Sequence, residues 1–170
     1  MMHARGVPRA GCRTSPMSDR FFPLDEHFMR LALREATRAL EHDDVPVGAV
    51  VVRDGEVIGA GCNEREHRQD PTAHAEMLAL REAARMVGSW RLLGCVLYVT
   101  LEPCSMCAGA IVLARVPRVV YGTPDPKAGA AGSVVDILDQ PGFNHRPEVD
   151  GGLLAADCGD LLRAFFSSRR

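Results

Sequence analysis

Apolar positions first recur at helical spacing. Phe28, Leu31, Ala32, Ala36, Ala39 and Leu40 follow a period near 3.6, which predicts an amphipathic helix starting at Asp25 as its N-cap. Pro46 has no backbone donor and its ring blocks a continuing helix, so the pattern stops there. The apolar run 47–52 then predicts a buried strand, Asp54-Gly55 a tight hairpin turn, and 56–60 the returning strand. Residues 63–72 are polar and end in Asp70-Pro71, a loop signal. Helical spacing returns over 74–87 with Met77, Leu78, Leu80 and Ala84 turned inward. Beyond it, 96–100 predicts a strand, 104–115 a helix and 118–121 another strand. Gly122, Pro124, Pro126, Gly129 and Gly132 break the next stretch into a loop. A short helix at 134–138, a strand near 148–149 and a helix over 153–166 complete the pattern.

A hairpin followed by alternating helices and strands calls for a mixed sheet with helices on its faces. The predicted fold class is therefore α/β, a three-layer α/β/α arrangement around about five strands, in one domain over 23–170. Residues 1–22 differ: they hold Arg5, Arg9, Arg13 and Arg20, no acid before Asp19 and no apolar run. They read as an unstructured extension outside the fold, with Met17 as an internal start.

Composition changes this picture mainly by exclusion. A chain of 170 residues with 46% hydrophobic side chains can bury a core without disulfides. Twenty basic against 22 acidic residues give a net charge of −2, which excludes a polybasic protein, so any polyanion must be met by a local patch. Apolar stretches such as 108–114 fall short of the roughly 20 residues that a membrane span needs. The expected location is the cytoplasm. Of the six cysteines, only Cys104 and Cys107 are close together, which reads as a metal or redox pair in a reducing compartment.

The chemistry concentrates in His74-Ala75-Glu76 and, after a strand, Pro103-Cys104-Ser105-Met106-Cys107. Zinc prefers nitrogen and sulfur in a tetrahedron, and a catalytic site keeps three protein ligands and leaves the fourth place to water. His74, Cys104 and Cys107 supply such a set, one zinc per chain. Cysteines at i and i+3 share a helix face, and Pro103 suits the start of that helix, where exposed N–H groups favour thiolate. Glu76, beside His74, is the candidate proton shuttle for hydrolytic deamination of an amidine-like ring carbon. A redox pair and half of a structural zinc ribbon are the competing readings of Cys-x-x-Cys, and Cys62 is the nearby candidate for a fourth ligand. A redox pair usually follows the first strand of its fold, and here it follows a later one. A structural site has no use for Glu76.

His-x-Glu followed by Pro-Cys-x-x-Cys resembles the signature of zinc-dependent nucleobase deaminases. Within that cytidine/deoxycytidylate deaminase superfamily, the chain from Asp25 to Arg170 resembles the bacterial tRNA adenosine deaminases. The resemblance is carried by Val45-Pro46-Val47-Gly48-Ala49-Val50, by Gly61-Cys62-Asn63, by the segments around His74 and Cys104, and above all by the run Asp125 to Ser133. Tyr121-Gly122, Asn144-His145-Arg146 and Phe165-Phe166 add to it.

The resemblance implies a cytidine-deaminase-like fold, zinc at His74, Cys104 and Cys107, and Glu76 as shuttle. It implies that Asn63 hydrogen-bonds a flipped base, Val47 packs on it, Asp125 contacts the ribose or backbone, and main chain around Glu102 meets the base edge. The activity implied is conversion of the wobble adenosine of an arginine tRNA anticodon loop to inosine, by a homodimer whose sites are completed across the interface. Arg65, Arg68, Arg146, Arg169 and Arg170 are the candidates for RNA phosphates. Cys62 stands where an aromatic is expected, and the tail after Phe166 carries serines where basic or bulky residues are usual. The alternatives are a guanine or other free-base or nucleoside deaminase and, from another class, a non-catalytic zinc-binding module.

Overall fold

A computed structural model describes residues 21–169; most of the N-terminal stretch set apart above, and Arg170, lie outside that range. The elements run α1 (Asp25–Arg38), a 3-10 turn (Ala39–His42), β1 (Gly48–Arg53), β2 (Glu56–Cys62), α2 (Arg65–Arg68), α3 (Ala75–Val87), β3 (Cys95–Leu101), α4 (Ser105–Leu113), β4 (Arg118–Thr123), β5 (Glu148–Gly151) and α5 (Ala155–Ser167). The sheet order is β2-β1-β3-β4-β5. The first three strands pair antiparallel, and β3-β4 and β4-β5 pair parallel, as a mixed sheet requires.

The inner strands β1, β3 and β4 are buried on both faces, and alternate residues feed two cores. Ala49, Val51, Leu97, Val99 and Val119 pack with Ala79, Leu80 and Ala83 of α3 and with Ala108, Ile111 and Val112 of α4. Val50, Val52, Tyr98 and Val120 pack on the other side with Phe28, Met29 and Ala32 of α1 and Cys158 of α5. Helices thus cover both faces, giving three layers. Each fully buried Val, Leu or Ile in these layers contributes on the order of 1.5–3 kcal/mol. At Gly48 a Cβ would fall on the carbonyl of Ala32 and the amide of Ala36, so α1 crosses β1 at backbone contact. The hairpin between β1 and β2 turns through Asp54 (φ 52°) and Gly55 (φ 81°), the two positive dihedrals that a two-residue turn needs.

Four local expectations are corrected. Asp25 is the first residue of α1, not its cap; its buried carboxylate accepts the Phe22 N–H at 2.8 Å and reaches into the core. The inward face of α3 is Ala75, Glu76, Ala79, Leu80 and Ala83, with Met77, Leu78 and Ala84 only half-buried at its flanks. Small alanines let α3 lie against the backbone of β2, where a Cβ on Gly61 would sit 2.7 Å from the Ala75 carbonyl. Residues 134–138 form no helix; Ala131 bridges Asp136 and the chain turns, leaving Leu138 as its buried anchor. Pro103 precedes the N-cap of α4, which is Cys104, and so stands just outside the helix.

Candidate zinc site and substrate cleft

The antiparallel entry of β2 and the parallel run of β3 bring two helix N-termini to one end of the sheet. His74 is the N-cap of α3 (φ −75°, ψ 152°) and Cys104 the N-cap of α4 (φ −74°, ψ 174°), with Cys107 one turn further on. His74 Nδ1 lies 3.6 Å from the Sγ of Cys104 and 3.6 Å from that of Cys107. All three donor atoms are within 4.8 Å of one another. A tetrahedral zinc with bonds of about 2.3 Å to sulfur and about 2.0 Å to nitrogen sets donor separations of about 3.5 Å. The donor set therefore fits zinc in both chemistry and spacing. Cys104 and Cys107 are free thiols, which disposes of a disulfide between them. Cys62 is buried at the end of β2 with its thiol 3.7 Å from Glu64, outside the three-donor group.

The electrostatics make Cys104 the thiolate and Cys107 its proton donor. The Cys107 thiol donates to Cys104 and, against burial and with help from His74, holds the Cys104 pKa down to about 4. Cys107 itself is pushed up, first by the Cys104 that it faces and then by burial. His74 is raised by its hydrogen bond to Cys104, with burial opposing and the Glu76 charge assisting. Glu76, buried in the first turn of α3, is pushed up by that burial to about 7. A carboxyl near 7 can both take and give a proton at neutral pH.

His74 and Cys104 open on a cleft of about 210 Å³ lined also by Val45, Val47, Asn63, Arg65, Glu76, Leu101, Glu102, Asp125 and Ala128, with Cys107 buried behind them. Val47, just before β1, and Val45 and Leu101 make its apolar walls. Asn63 spends its side-chain donors on the Val45 carbonyl at 3.2 Å and Asp44 Oδ1 at 3.4 Å, leaving its carbonyl as an acceptor. Asp125 Oδ1 closes a turn with the amides of Lys127 (2.9 Å) and Ala128 (3.2 Å). The structure thus brings Asn63, Val47 and Asp125 to the same cleft as the donor cluster. Among the candidate arginines, Arg65 lines the cleft. Arg68 pairs with Glu64, Arg146 with Asp139 at 3.0 Å, and Arg169 with Asp43 while stacking on Phe165. Arg170 lies outside the described residues.

Of the main chain around Glu102 expected to meet the base edge, the Glu102 N–H itself donates to the Thr123 carbonyl at 2.9 Å and is not free for a ligand. Two residues were missed. The buried carboxylate of Asp44 accepts the amides of Glu66 and His67, both at 2.9 Å, capping α2 while it orients Asn63. The buried carboxylate of Glu102 accepts donors from the 125–133 segment. Neither had a signal in the sequence, because their partners lie about 20 to 30 positions away.

Comparison with known proteins agrees with this geometry. Residues 23–123 match the cytidine and deoxycytidylate deaminase zinc-binding region family. A tRNA-specific adenosine deaminase of Bacillus subtilis is 51% identical over 146 residues, covering 86% of this chain and 91% of the relative. A structure solved in work on A-to-I editing by tRNA:A34 deaminases at the wobble position of transfer RNA superposes with a TM-score of 0.77 at 49% identity. It covers 80% of this chain and 99% of that one. A guanine deaminase of Bacillus subtilis superposes less well, with a TM-score of 0.57 at 34% identity over 85% of this chain and 92% of that one. The chain is a zinc-dependent deaminase and belongs to the cytidine and deoxycytidylate deaminase zinc-binding family.

Proposed function

We propose that this enzyme hydrolyses the exocyclic amine of the wobble adenosine in a tRNA anticodon loop, releasing ammonia and leaving inosine. The observation that carries this is the three-donor cluster standing beside a buried carboxylate in a cleft with an apolar wall and the Asn63 acceptor. The balance between adenosine in tRNA and a free purine is tipped by the relatives: 51% identity to a tRNA-specific adenosine deaminase against 34% to a guanine deaminase. A base in an anticodon loop is already unpaired, so little energy opposes its extrusion into such a cleft.

His74, Cys104 and Cys107 would hold the zinc. When bound, it supplies the Lewis acidity that activates water at neutral pH. Glu76 takes a proton from the attacking water and delivers it to the ring nitrogen N1, then takes the remaining proton from the hydroxyl added at C6 and delivers it to the departing amine as the C–N bond breaks. A carboxyl poised near neutrality serves each transfer. Val47 packs against the base, the Asn63 carbonyl accepts a hydrogen bond from its edge, and Asp125 meets the ribose or backbone beside it. Arg65 is the cleft residue placed for a phosphate.

The same reading includes a homodimer. The α4 sequence, Ser105–Leu113, carries no charge on any side, a composition that belongs in an interior. Yet Leu113 is 69% exposed and borders an apolar groove of about 480 Å³ with Val112 and Phe143. A second copy seated on this face would cover it. No described helix is long and apolar enough to cross a membrane, and an enzyme of tRNA belongs in the cytoplasm.

Incubation with an arginine tRNA anticodon stem-loop, followed by mass spectrometry of the nucleosides, tests the substrate. Inosine at the wobble position is expected, with free guanine left unchanged. Turnover of guanine without inosine in the RNA would establish the free-base reading instead.

A further inference from the structure

Glu102 follows the last residue of β3, two positions before Cys104, and is 2% exposed. Four donors converge on its carboxylate, all from one segment. Oε2 accepts the Asp125 N–H at 2.9 Å and the Ser133 hydroxyl; Oε1 accepts the N–H groups of Ala131 at 2.9 Å and Ser133 at 3.0 Å. Beyond these, the middle of the segment is held by the Ala130 N–H on the Pro103 carbonyl at 2.8 Å and by a bridge between Gly129 and Cys104, while its two ends depend on Glu102. Pro126, Lys127, Ala128, Gly132 and Ser133 are exposed, and only Gly129 and Ala130 are buried. Gly129 lies directly over the carboxylate, where a Cβ would collide with the Glu102 side chain. Two residues of the segment, Asp125 and Ala128, line the cleft.

We propose that Glu102 is a positioning residue for substrate affinity: its carboxylate fastens segment 125–133 as one wall of the cleft and so fixes Asp125 and Ala128 against the nucleotide. The inference rests on the substrate reading above. Four donors and no competing acceptor demand a group that only accepts, which a carboxylate is and an amide is not. Glu102→Gln keeps the shape but turns an NH2 toward donors on one side. The Asp125 N–H, or the pair from Ala131 and Ser133, then loses its acceptor. A buried donor left unpaired costs on the order of a factor of ten in the population of the ordered arrangement.

The test is steady-state kinetics on the stem-loop RNA, zinc content and amide hydrogen exchange, applied to wild type, Glu102→Gln and Gly129→Ala. Both variants should raise KM about tenfold while kcat stays within about threefold and zinc per chain is unchanged. Exchange at the amides of Asp125, Ala131 and Ser133 should quicken in both without RNA, while amides in the middle of α3 and α4 keep their protection. An unchanged KM with unchanged exchange overturns the inference. So does zinc loss with a matching fall in kcat, because Glu102 would then serve the metal end of the segment. If wild type does not edit the stem-loop, the substrate reading fails; exchange in the RNA-free protein still decides whether Glu102 holds the wall.

Discussion

Arg118 of β4 grips Asp25 of α1 through two parallel hydrogen bonds, Nη1 to Oδ1 at 2.9 Å and Nη2 to Oδ2 at 2.7 Å, with both side chains buried. Tyr98 of β3 donates to the same carboxylate at 2.7 Å, and Arg118 also holds Asp150 of β5 at 2.8 Å. Four elements that carry the site from behind are therefore tied at one point. Removing one member leaves a buried charge short of its partner, which costs about 3–5 kcal/mol in such pairs. Asp25→Ala should lower the unfolding free energy by about 3 kcal/mol in urea titration. A loss below about 1 kcal/mol would mean that the remaining partners of Arg118, Asp150 among them, satisfy it without Asp25.

Burial alone would raise the Asp25 pKa, but hydrogen bonds from Arg118, Tyr98 and the Phe22 amide outweigh it and hold the group below its usual range. A carboxyl lowered on folding contributes stability that is full above its unfolded pKa, about 3.9, and drains away as pH falls through the folded value. The melting temperature should therefore drop as pH goes from about 5 to about 3, and the Asp25→Asn variant should drop less steeply. Parallel slopes for the two proteins would assign the acid sensitivity to other carboxyls.

Glu76→Gln removes a proton carrier with almost no change in shape. Turnover should fall by a factor of about 10² to 10⁴, the usual contribution of a general acid–base group. Zinc per chain and melting temperature should stay near the wild-type values. Retention of most activity would take the proton transfers away from this residue.

Leu113→Arg places a charge in the apolar groove beside α4 without disturbing the core, because the side chain is 69% exposed. Light scattering should then find a folded monomer for the variant and a dimer for the wild type, as proposed above. A variant that stays dimeric would move the interface to another face.

The legible parts of the molecule were those written in local chemistry or strict period. Asp54-Gly55 specifies its own turn through backbone dihedrals, and the strand residues alternate between two cores as period two requires. His74, Cys104 and Cys107 stood out because imidazole and paired sulfurs are rare ligand types at telling spacings, and the structure brings their donor atoms together. The inward face of α3 was misjudged because hydrophobic size drew attention to Met77 and Leu78, while close approach to Gly59 and Gly61 rewards the smaller Ala75, Ala79 and Ala83. Val134 and Val135 resembled the start of a helix, yet the segment is fixed by the amides of Ala131 and Ser133 on Glu102. Asp44 and Glu102 stayed hidden for a related reason: a buried acid whose donors come from distant backbone looks, in one dimension, like any solvated acid.

Deamination here depends most on one metal held by a nitrogen and two sulfurs. X-ray absorption at the zinc edge of the purified protein, with zinc counted per chain, reads that directly. The expected result is about one zinc with two sulfur neighbours at about 2.3 Å and lighter atoms near 2.0 Å, and loss of the metal in Cys107→Ser. Three or four sulfur neighbours, or a zinc-free preparation that still deaminates, would contradict it.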